Sequence, residues 1–558
     1  MPAKACTPRV VVALLVILAC ALALRLYGIT FGLPALLDPD EPLFIISALK
    51  LLGQHTLNPG WFGHPGTTTI YALAIIYALI GGAALASRQL ADISSFVAYV
   101  YNDPGILVLS GRIFFALCGS ACVFLTFLLA KRLRSTGMGL LAALLLALNP
   151  LHVTYSQLIR TDVQSSVFML LCLLWACRIV TEGRRRDYVI AGIWAGCACV
   201  TKWPAGVVDV SLITAALARL RDHPSEARDQ TRNLVVGLLV SLVTVVTVSP
   251  YLLLDYPVLF DNLRGEIQPD HVGASGGGFL TNVAWYIAVP LRGAIGTMGL
   301  LLALVGIGLA VRNSRVLTAT ILPCALVTFV IICANTLIWE RWLVPLLPFV
   351  AIFEAWALLS AWNWLCEASS KRWASSIIAA ACVALLVPAL ATTRLNANER
   401  MNDTRTLAAR WVLRHTPPED SVLVEHFAFD LFVAKRKILF PAGDVGCVDA
   451  ADVLGKKLQY GSVVQWRGTR SVVDFGNLPI AKLPTCEADI AIFSHYARYH
   501  AERSRYPNEV AAYERAMRLG RTLKIFMPKP GEIGGPEVRI VALDRHVLHD
   551  MVGSRPPE

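Results

Sequence analysis

The sequence predicts a polytopic α-helical membrane protein with a small α/β domain at its C-terminal end. Of its 558 residues, 56% are hydrophobic and only 16% are charged, whereas soluble domains carry about 25% charged residues. Many apolar segments approach or exceed the roughly 18 residues that a transmembrane helix needs. From about residue 394 the charge rises and short β-like runs alternate with helical ones, which indicates a separate α/β domain over 394–558.

One apolar segment, 66–86, decides the predicted topology. It is rich in glycine and threonine and follows His64-Pro65. If it is re-entrant or interfacial, six inner connections totalling 54 positions hold sixteen Lys and Arg residues, as the positive-inside rule requires. We therefore predict a membrane module over 1–393 with about eleven spans, a cytoplasmic N-terminus and an extracytoplasmic C-terminal domain. The spans are 10–30, 107–130, 138–156, 163–180, 188–201, 204–218, 233–254, 294–311, 316–338, 343–360 and 374–393.

The formal net charge of +11 does not predict nucleic-acid binding, because the basic residues lie between apolar segments rather than along one soluble face. The chain has no P-loop and no dinucleotide fingerprint, so no nucleotide cofactor is expected. Cys447 and Cys486 stand alone in the polar C-terminal region. They could pair in an oxidising compartment, and the sequence leaves this open.

Every unusual polar cluster falls on the outer side of this topology. The first outer loop, 31–106, carries Asp38, Asp40 and Glu41, and a long outer loop covers 255–293. Ionisable residues beside a bilayer are costly unless they face water, a cation or a reacting group. Their convergence predicts one active site on the outer face. Its other candidate members are His64, Arg112, Arg160, Asp162, Lys202 and Arg341.

The order of these clusters resembles the family 39 and related GT-C-type glycosyltransferases, which include protein O-mannosyltransferases and bacterial aminoarabinose transferases. The resemblance covers about residues 10–350. It implies a GT-C-type transmembrane bundle and an enzyme that moves a sugar from a polyprenyl-phosphate-linked donor to an acceptor at the extracytoplasmic face, with inversion. It is carried by Asp40-Glu41, His64-Pro65, LSGRIFFALCG from Leu109, Arg160-Thr-Asp162, Thr201-Lys202 and ERWLVPLLP from Glu340.

The acids have both a catalytic and a structural interpretation. The predicted catalytic residues are Asp40, as general base or acceptor-orienting carboxylate, with Glu41 and Asp162; Asp38 supports them as a substrate-binding residue. Alternatively, Asp40 caps the helix that begins at Pro42, and Asp162 caps the span that follows it.

The cations Arg112, Arg160, Lys202 and Arg341 are candidates for binding the carrier phosphate, whose charge develops as the sugar leaves. The alternative is interfacial anchoring by snorkelling. His64 is a further candidate for substrate binding, although hydrogen-bonded structural roles suit both His64 and His152. The resemblance leaves a divalent metal ion open as a cofactor.

The predicted partners are a polyprenyl-phosphate sugar donor, the membrane, and a lipid, glycan or protein acceptor. Gly66 stands where the family often has a second Pro, and the chain lacks the sugar-binding repeat domain inserted in eukaryotic protein mannosyltransferases. The predicted location is the bacterial inner membrane. Two rivals remain: a transporter or flippase of lipid-linked saccharides, which would place carboxylates near mid-membrane in two related halves, and a membrane-anchored binding module.

Overall fold

The computed structural model describes residues 7–88, 92, 95–96, 100, 103–267, 269–425, 429, 431, 436–454, 460–467, 470, 472–543 and 551. The chain forms two compact units. The first contains Met1–Ile29, Asp40–Ile267 and Gly276–Arg394, and the second contains Thr30–Pro39, Gln268–Ser275 and Leu395–Glu558. Short segments from both predicted outer loops therefore belong to the second unit. The terminal position of 553–558 predicts a disordered tail, and this segment lies outside the described residues.

The first unit is built from helices. In chain order they are α1 (Pro8–Leu26), α2 (Glu41–Gly53), α3 (Thr67–Ala86), α4 (Gly105–Leu133), α5 (Thr136–Ala147), α6 (Pro150–Tyr155), α7 (Thr161–Thr181), α8 (Arg185–Thr201), α9 (Asp209–Asp222), α10 (Ala227–Val248), α11 (Tyr251–Leu254), α12 (Tyr256–Glu266), α13 (Phe279–Tyr286), α14 (Arg292–Asn313), α15 (Arg315–Ala334), α16 (Leu347–Ala368) and α17 (Lys371–Met401), which continues into the second unit. Short 3₁₀ turns over Trp203–Val208 and Glu340–Leu346 lead into α9 and α16.

Ten helices in the described part of the chain are long and apolar enough to cross a membrane. Nine of them correspond to predicted spans, and the tenth is α3. Predicted span 188–201 forms α8, a helix of 17 residues that is not among the ten. Predicted span 138–156 divides instead into α5 and α6, because Pro150 begins a new helix that Asn149 caps by accepting from the His152 amide at 3.0 Å. With 12 residues, α5 is about 18 Å long, well short of a hydrocarbon core of about 30 Å.

Connectivity favours a non-crossing α3. The first turn of α3 meets the start of α7, where Thr69 Oγ1 donates to Gln164 Oε1 at 2.5 Å. The next helix, α4, carries Arg112 in its N-terminal part, and this side chain bonds Glu41 at the same end of the unit. If α3 crossed the membrane, the polar stretch 87–104 would have to cross back. Its interfacial or re-entrant placement stays a prediction.

The second unit contains a six-stranded sheet of order β3-β2-β1-β4-β6-β5. Strands β2, β1 and β4 are parallel, whereas β3, β6 and β5 are added in antiparallel pairs. The described elements are α18 (Thr404–His415), β1 (Val422–Val424), β2 (Ile438–Pro441), β3 (Cys447–Asp449), α19 (Ala450–Leu454), α20 (Tyr460–Arg467), β4 (Ile490–Phe493), α21 (Tyr496–Ala501), α22 (Pro507–Leu519), β5 (Arg521–Phe526) and β6 (Val538–Ala542).

Both faces of the sheet are buried over β1, β2 and β4, whereas β5 is largely exposed. Val422 and Ile492 pack with Val412 of α18 on one face, and Leu423 and Phe493 lie in the apolar cluster of the other. Strands buried on both faces form continuous apolar runs, which is why most were predictable. One of the short β-like runs in the sequence, 461–466, predicts a strand, but this prediction was wrong and the segment lies in α20. A short apolar run does not distinguish a strand from a helix. Cys447 and Cys486 form a disulfide.

Candidate active site

Helix ends bring most of the predicted site residues together in the first unit. Asp40 immediately precedes α2, Asp162 lies in the first turn of α7, and Lys202 directly follows α8. Arg160 precedes α7, and Arg341 lies in the 3₁₀ turn before α16. These positions are separated by up to 301 residues in sequence yet are joined by direct ion pairs.

Asp40 is shared by two arginines. Its Oδ2 accepts hydrogen bonds from Arg160 Nη1 and from Arg341 Nη1, the latter at 2.6 Å. The Asp40 side chain makes no capping bond to α2, so the capping alternative is not what the structure shows. It keeps 27% of its surface exposed, whereas Arg160 and Arg341 keep 10% and 14%. A substrate could therefore reach this carboxylate from solvent.

Glu41 and Arg112 form a closed, fully buried pair. Arg112 donates from Nε to Oε1 at 2.8 Å and from Nη2 to Oε2 at 2.7 Å, a bidentate fork. Glu41 Oε1 also accepts from the amide of Ile159 at 3.2 Å, the residue before Arg160. Neither side chain of the pair has exposed surface. In this arrangement the pair holds the segment that carries Arg160 rather than presenting a group to a substrate.

Asp162 and Lys202 form the second buried pair. Lys202 Nζ donates to Asp162 Oδ1, and the two side chains are only 9% and 3% exposed. Lys202 also forms a backbone bridge to Pro65. The flanking backbone bonds, from the Gly66 amide to Thr201 at 3.2 Å and from the Trp203 amide to His64 at 2.9 Å, join the His-Pro-Gly turn to the end of α8. This turn therefore lies beside the Asp162–Lys202 pair.

His64 has one nitrogen near a carboxylate and one without a hydrogen-bond partner among the described residues. Nε2 lies 3.7 Å from Glu266 Oε2, and the unpartnered Nδ1 is buried. Burial lowers the pKa of His64 to about 4, with the Lys202 ammonium as the next contributor. The imidazole is therefore neutral at neutral pH. Trp61 packs edge-on against it, with 5.2 Å between the ring centroids.

Arg25 has a positioning role that the sequence patterns did not indicate. This arginine is fully buried at the end of α1 and donates to Ala147 O at 3.2 Å, His152 Nδ1 at 2.8 Å and Ser156 Oγ at 3.3 Å. It therefore ties α1 to the α5–α6 connection and to the segment that leads to Arg160. The available signal was an arginine within apolar segment 10–30, where an ionisable side chain needs a partner.

The described residues do not fit a divalent metal ion. They contain no group of three or more His, Cys, Asp and Glu side chains that could hold one. Moreover, Asp40, Glu41 and Asp162 are each paired with a basic side chain, whereas Mg²⁺ and similar hard cations take oxygen ligands that remain available. Asp38 belongs to the second unit, and its supporting role stays a prediction.

Comparison with known proteins confirms the predicted resemblance and the GT-C-type fold. Residues 93–253 match the family model described as "Dolichyl-phosphate-mannose-protein mannosyltransferase". The fold is similar to that of ArnT from Cupriavidus metallidurans bound to undecaprenyl phosphate. That match has a TM-score of 0.53 and 13% identity and covers 97% of this chain and 99% of the other.

A second structural match is the archaeal oligosaccharyltransferase AglB from Archaeoglobus fulgidus, in complex with an inhibitory peptide and a dolichol-phosphate. Its TM-score is 0.53 at 12% identity, covering 92% of this chain and 73% of the other. No curated protein sequence matches this chain. At these identities the structural similarities establish the fold, and the function must be argued from the site.

Proposed function

We propose that this chain, which has the GT-C-type fold, is an integral membrane glycosyltransferase that moves a sugar from a polyprenyl-phosphate donor to an acceptor. The proposal is carried by one observation: Asp40, a partly exposed carboxylate, lies between the guanidinium groups of Arg160 and Arg341. Such a transfer needs a carboxylate for the acceptor hydroxyl and cations for the departing phosphate side by side.

In the proposed reaction the acceptor oxygen attacks the anomeric carbon from the face opposite the phosphate, which inverts the configuration. The bond from that carbon to the phosphate oxygen breaks, and its electron pair leaves with the phosphate. The acceptor proton passes to the Asp40 carboxylate. Arg160 and Arg341 stabilise the phosphate charge that develops, which a preorganised cation does without reorganisation.

The arrangement of the ion pairs supports a substrate-facing role for Asp40. Asp40 is the most exposed of the three paired acids and is shared by Arg160 and Arg341, whereas Glu41 and Asp162 lie in buried pairs. We assign positioning roles to the closed Glu41–Arg112 pair, and we place Asp162 and Lys202 at the wall of the site.

We place this site at the extracytoplasmic face of the bacterial inner membrane. The disulfide between Cys447 and Cys486 supports an oxidising compartment for the second unit, and the basic connections lie at the opposite helix ends. Reporter fusions test this orientation: a fusion after Arg134 should report as cytoplasmic and one after Ala397 as external. The opposite result for Arg134 would mean that α3 spans the membrane.

The donor class is tested by the lipid that co-purifies with the protein. Mass spectrometry of the extracted lipid should detect a polyprenyl phosphate or its glycosylated form, and the purified protein should release polyprenyl phosphate from such a donor when an acceptor fraction is added. A preparation that retains only phospholipids and turns over no polyprenyl-phosphate sugar would contradict the proposal. Fractionating the acceptor into lipid, glycan and protein pools then identifies its class.

A further inference from the structure

The sheet of the second unit has a topological switch point between β1 and β4. The chain leaves β1 toward β2 on one side, whereas β4 pairs with the other edge of β1 and leads on toward β5 and β6. In open sheets with parallel strands, ligands bind outside the carboxyl ends of the strands at such a point. The carboxyl edge of β1 and β4 is therefore the place to look for a second binding site.

A saturated polar network forms the floor of this edge. Glu425 directly follows β1, and its carboxylate accepts from the amides of Phe475 at 3.2 Å, Ser494 at 2.6 Å and His495 at 3.1 Å, and also from the Tyr513 hydroxyl. Buried polar networks with satisfied members are rigid. Because these groups bind one another, they hold the ends of β1 and β4 together and leave ligand contacts to the neighbouring side chains.

Three segments converge beside this floor and enclose an open cleft of about 450 Å³, within the size range of small-ligand sites. Helix α21 follows β4 directly, Arg405 lies in the first turn of α18, and the pairing of Phe493 with Arg539 places Gly535–Glu537 at the same edge. Gly273 completes the wall. The cleft belongs entirely to the second unit.

Among the described charged side chains that line the cleft, Arg405 and Glu537 are in ion pairs, whereas Arg498 and Glu502 are not. Arg405 is held by Asp403 at 2.9 and 2.8 Å, and Glu537 is bonded by Arg539. Arg498 and Glu502 are spaced as an i,i+4 ion pair, but Glu502 Oε1 instead accepts from the Gly273 amide at 2.6 Å. Arg498 is exposed. Its guanidinium group lines the cleft and forms no ion pair with the described side chains around it.

We propose that this cleft binds a hydroxylated ligand with a single negative charge, of the acidic-sugar class, through a carboxylate held by Arg498. Guanidinium groups bind carboxylates bidentately. Glu502 adds a negative charge to the wall, which disfavours a doubly charged phosphate and supplies an acceptor for ligand hydroxyl groups. Ala497 and Ala501 leave room beside Arg498 for a ring. The site is separate from the proposed transfer reaction and does not depend on it.

The test is protection of Arg498 from an arginine-selective reagent in the full-length protein. The protein is treated with phenylglyoxal at constant ionic strength, digested, and the modified peptides are quantified by mass spectrometry. Glucuronate should protect Arg498 at least several-fold more than glucose or acetate does. Arg518, which is exposed on α22 away from the cleft, should react equally in all samples. Equal modification of Arg498 with glucuronate and with acetate would overturn the proposal.

A steric variant tests the same site without changing its charge. Ala501→Phe fills the cleft from α21, and Ala511→Phe adds the same side chain at an exposed position of α22 that does not line the cleft. Protection by glucuronate should be lost in Ala501→Phe and kept in Ala511→Phe. Dimethyl phosphate provides a second anion arm: protection equal to that by glucuronate would show that only a monoanion is recognised and would overturn the acidic-sugar assignment.

Discussion

Replacing Asp40 by Asn separates catalysis from donor binding. The change conserves the size of the side chain but removes the charge that Arg160 and Arg341 share through Oδ2. Two effects of opposite sign follow. The acceptor hydroxyl loses its proton acceptor, which slows the chemical step. The two guanidinium groups lose their anionic partner and become more available to the carrier phosphate, so donor binding is not weakened.

The expected size follows from the role of the group. A positioned general base contributes about 10²- to 10⁴-fold to the rate, which corresponds to about 2.7–5.5 kcal/mol of barrier. The fold should tolerate the change, because Asp40 does not cap α2 and its side chain is 27% exposed. We therefore expect kcat to fall at least 100-fold, with an unchanged or lower dissociation constant for polyprenyl phosphate and an unchanged melting temperature.

The assay measures transfer from a labelled polyprenyl-phosphate sugar by purified protein, together with polyprenyl-phosphate binding. Asp261→Asn is the matched control. This acid lies in α12, its side chain is 74% exposed, and it forms a surface ion pair with Arg264 at 3.7 Å. Parental turnover by Asp40→Asn would refute the catalytic assignment. Lost turnover together with lost phosphate binding would instead mean that Asp40 only organises the two arginines.

Four further outcomes are expected. Arg341→Lys keeps the charge but loses the planar guanidinium group and its contact with the Trp339 ring at 5.0 Å. The KM for the donor should therefore rise about 10-fold or more, with a smaller change in kcat. Glu41→Gln leaves a buried arginine without its counter-ion, so the free energy of unfolding should fall by about 3–5 kcal/mol, seen as a lower melting temperature. Arg25→Leu should also lower the melting temperature, because it leaves buried acceptors unsatisfied, whereas Arg9→Leu at the exposed end of α1 should not. Burial lowers the pKa of His64 in the folded state to about 4, so acidification from pH 7.5 to 5 protonates the His64 imidazole mainly in the unfolded chain. This protonation favours unfolding, and the melting temperature should fall further in the parental protein than in His64→Gln.

The fold was predictable wherever one physical signal dominated. Long apolar runs identified most membrane helices, and short β-like runs identified β1, β2, β4, β5 and β6. The failures are positions where short-range patterns compete. Pro150 begins a new helix within an apolar segment that otherwise looks continuous. Strand β3 pairs at the sheet edge, and its two apolar residues are followed by Asp449, so the sequence offers no β-like run to recognise.

The members of the candidate site were visible in the sequence, but their pairing was not. An acid beside a membrane segment is recognisable as costly, yet nothing local links Asp40 to Arg341, which lies 301 positions away. The exposure of the Asp40 side chain could not be predicted either. It depends on the tertiary contacts of Ile159 and Arg25, which position the segment before α7. Sequence patterns thus predicted which residues matter, while the tertiary contacts distinguish residues that react from residues that position.

The exposure of their side chains separates the three acids into one that can react and two that position. Their side chains are 27%, 0% and 3% exposed for Asp40, Glu41 and Asp162. Glu41 and Asp162 are each matched to one cation in a closed pair, whereas Asp40 faces two cations and retains access to solvent. A group that accepts a proton from a substrate must be reachable by it, so Asp40 is the acid that can take this role without rearrangement. The closed Glu41–Arg112 pair instead positions the segment that carries Arg160, because Glu41 accepts a hydrogen bond from the Ile159 amide.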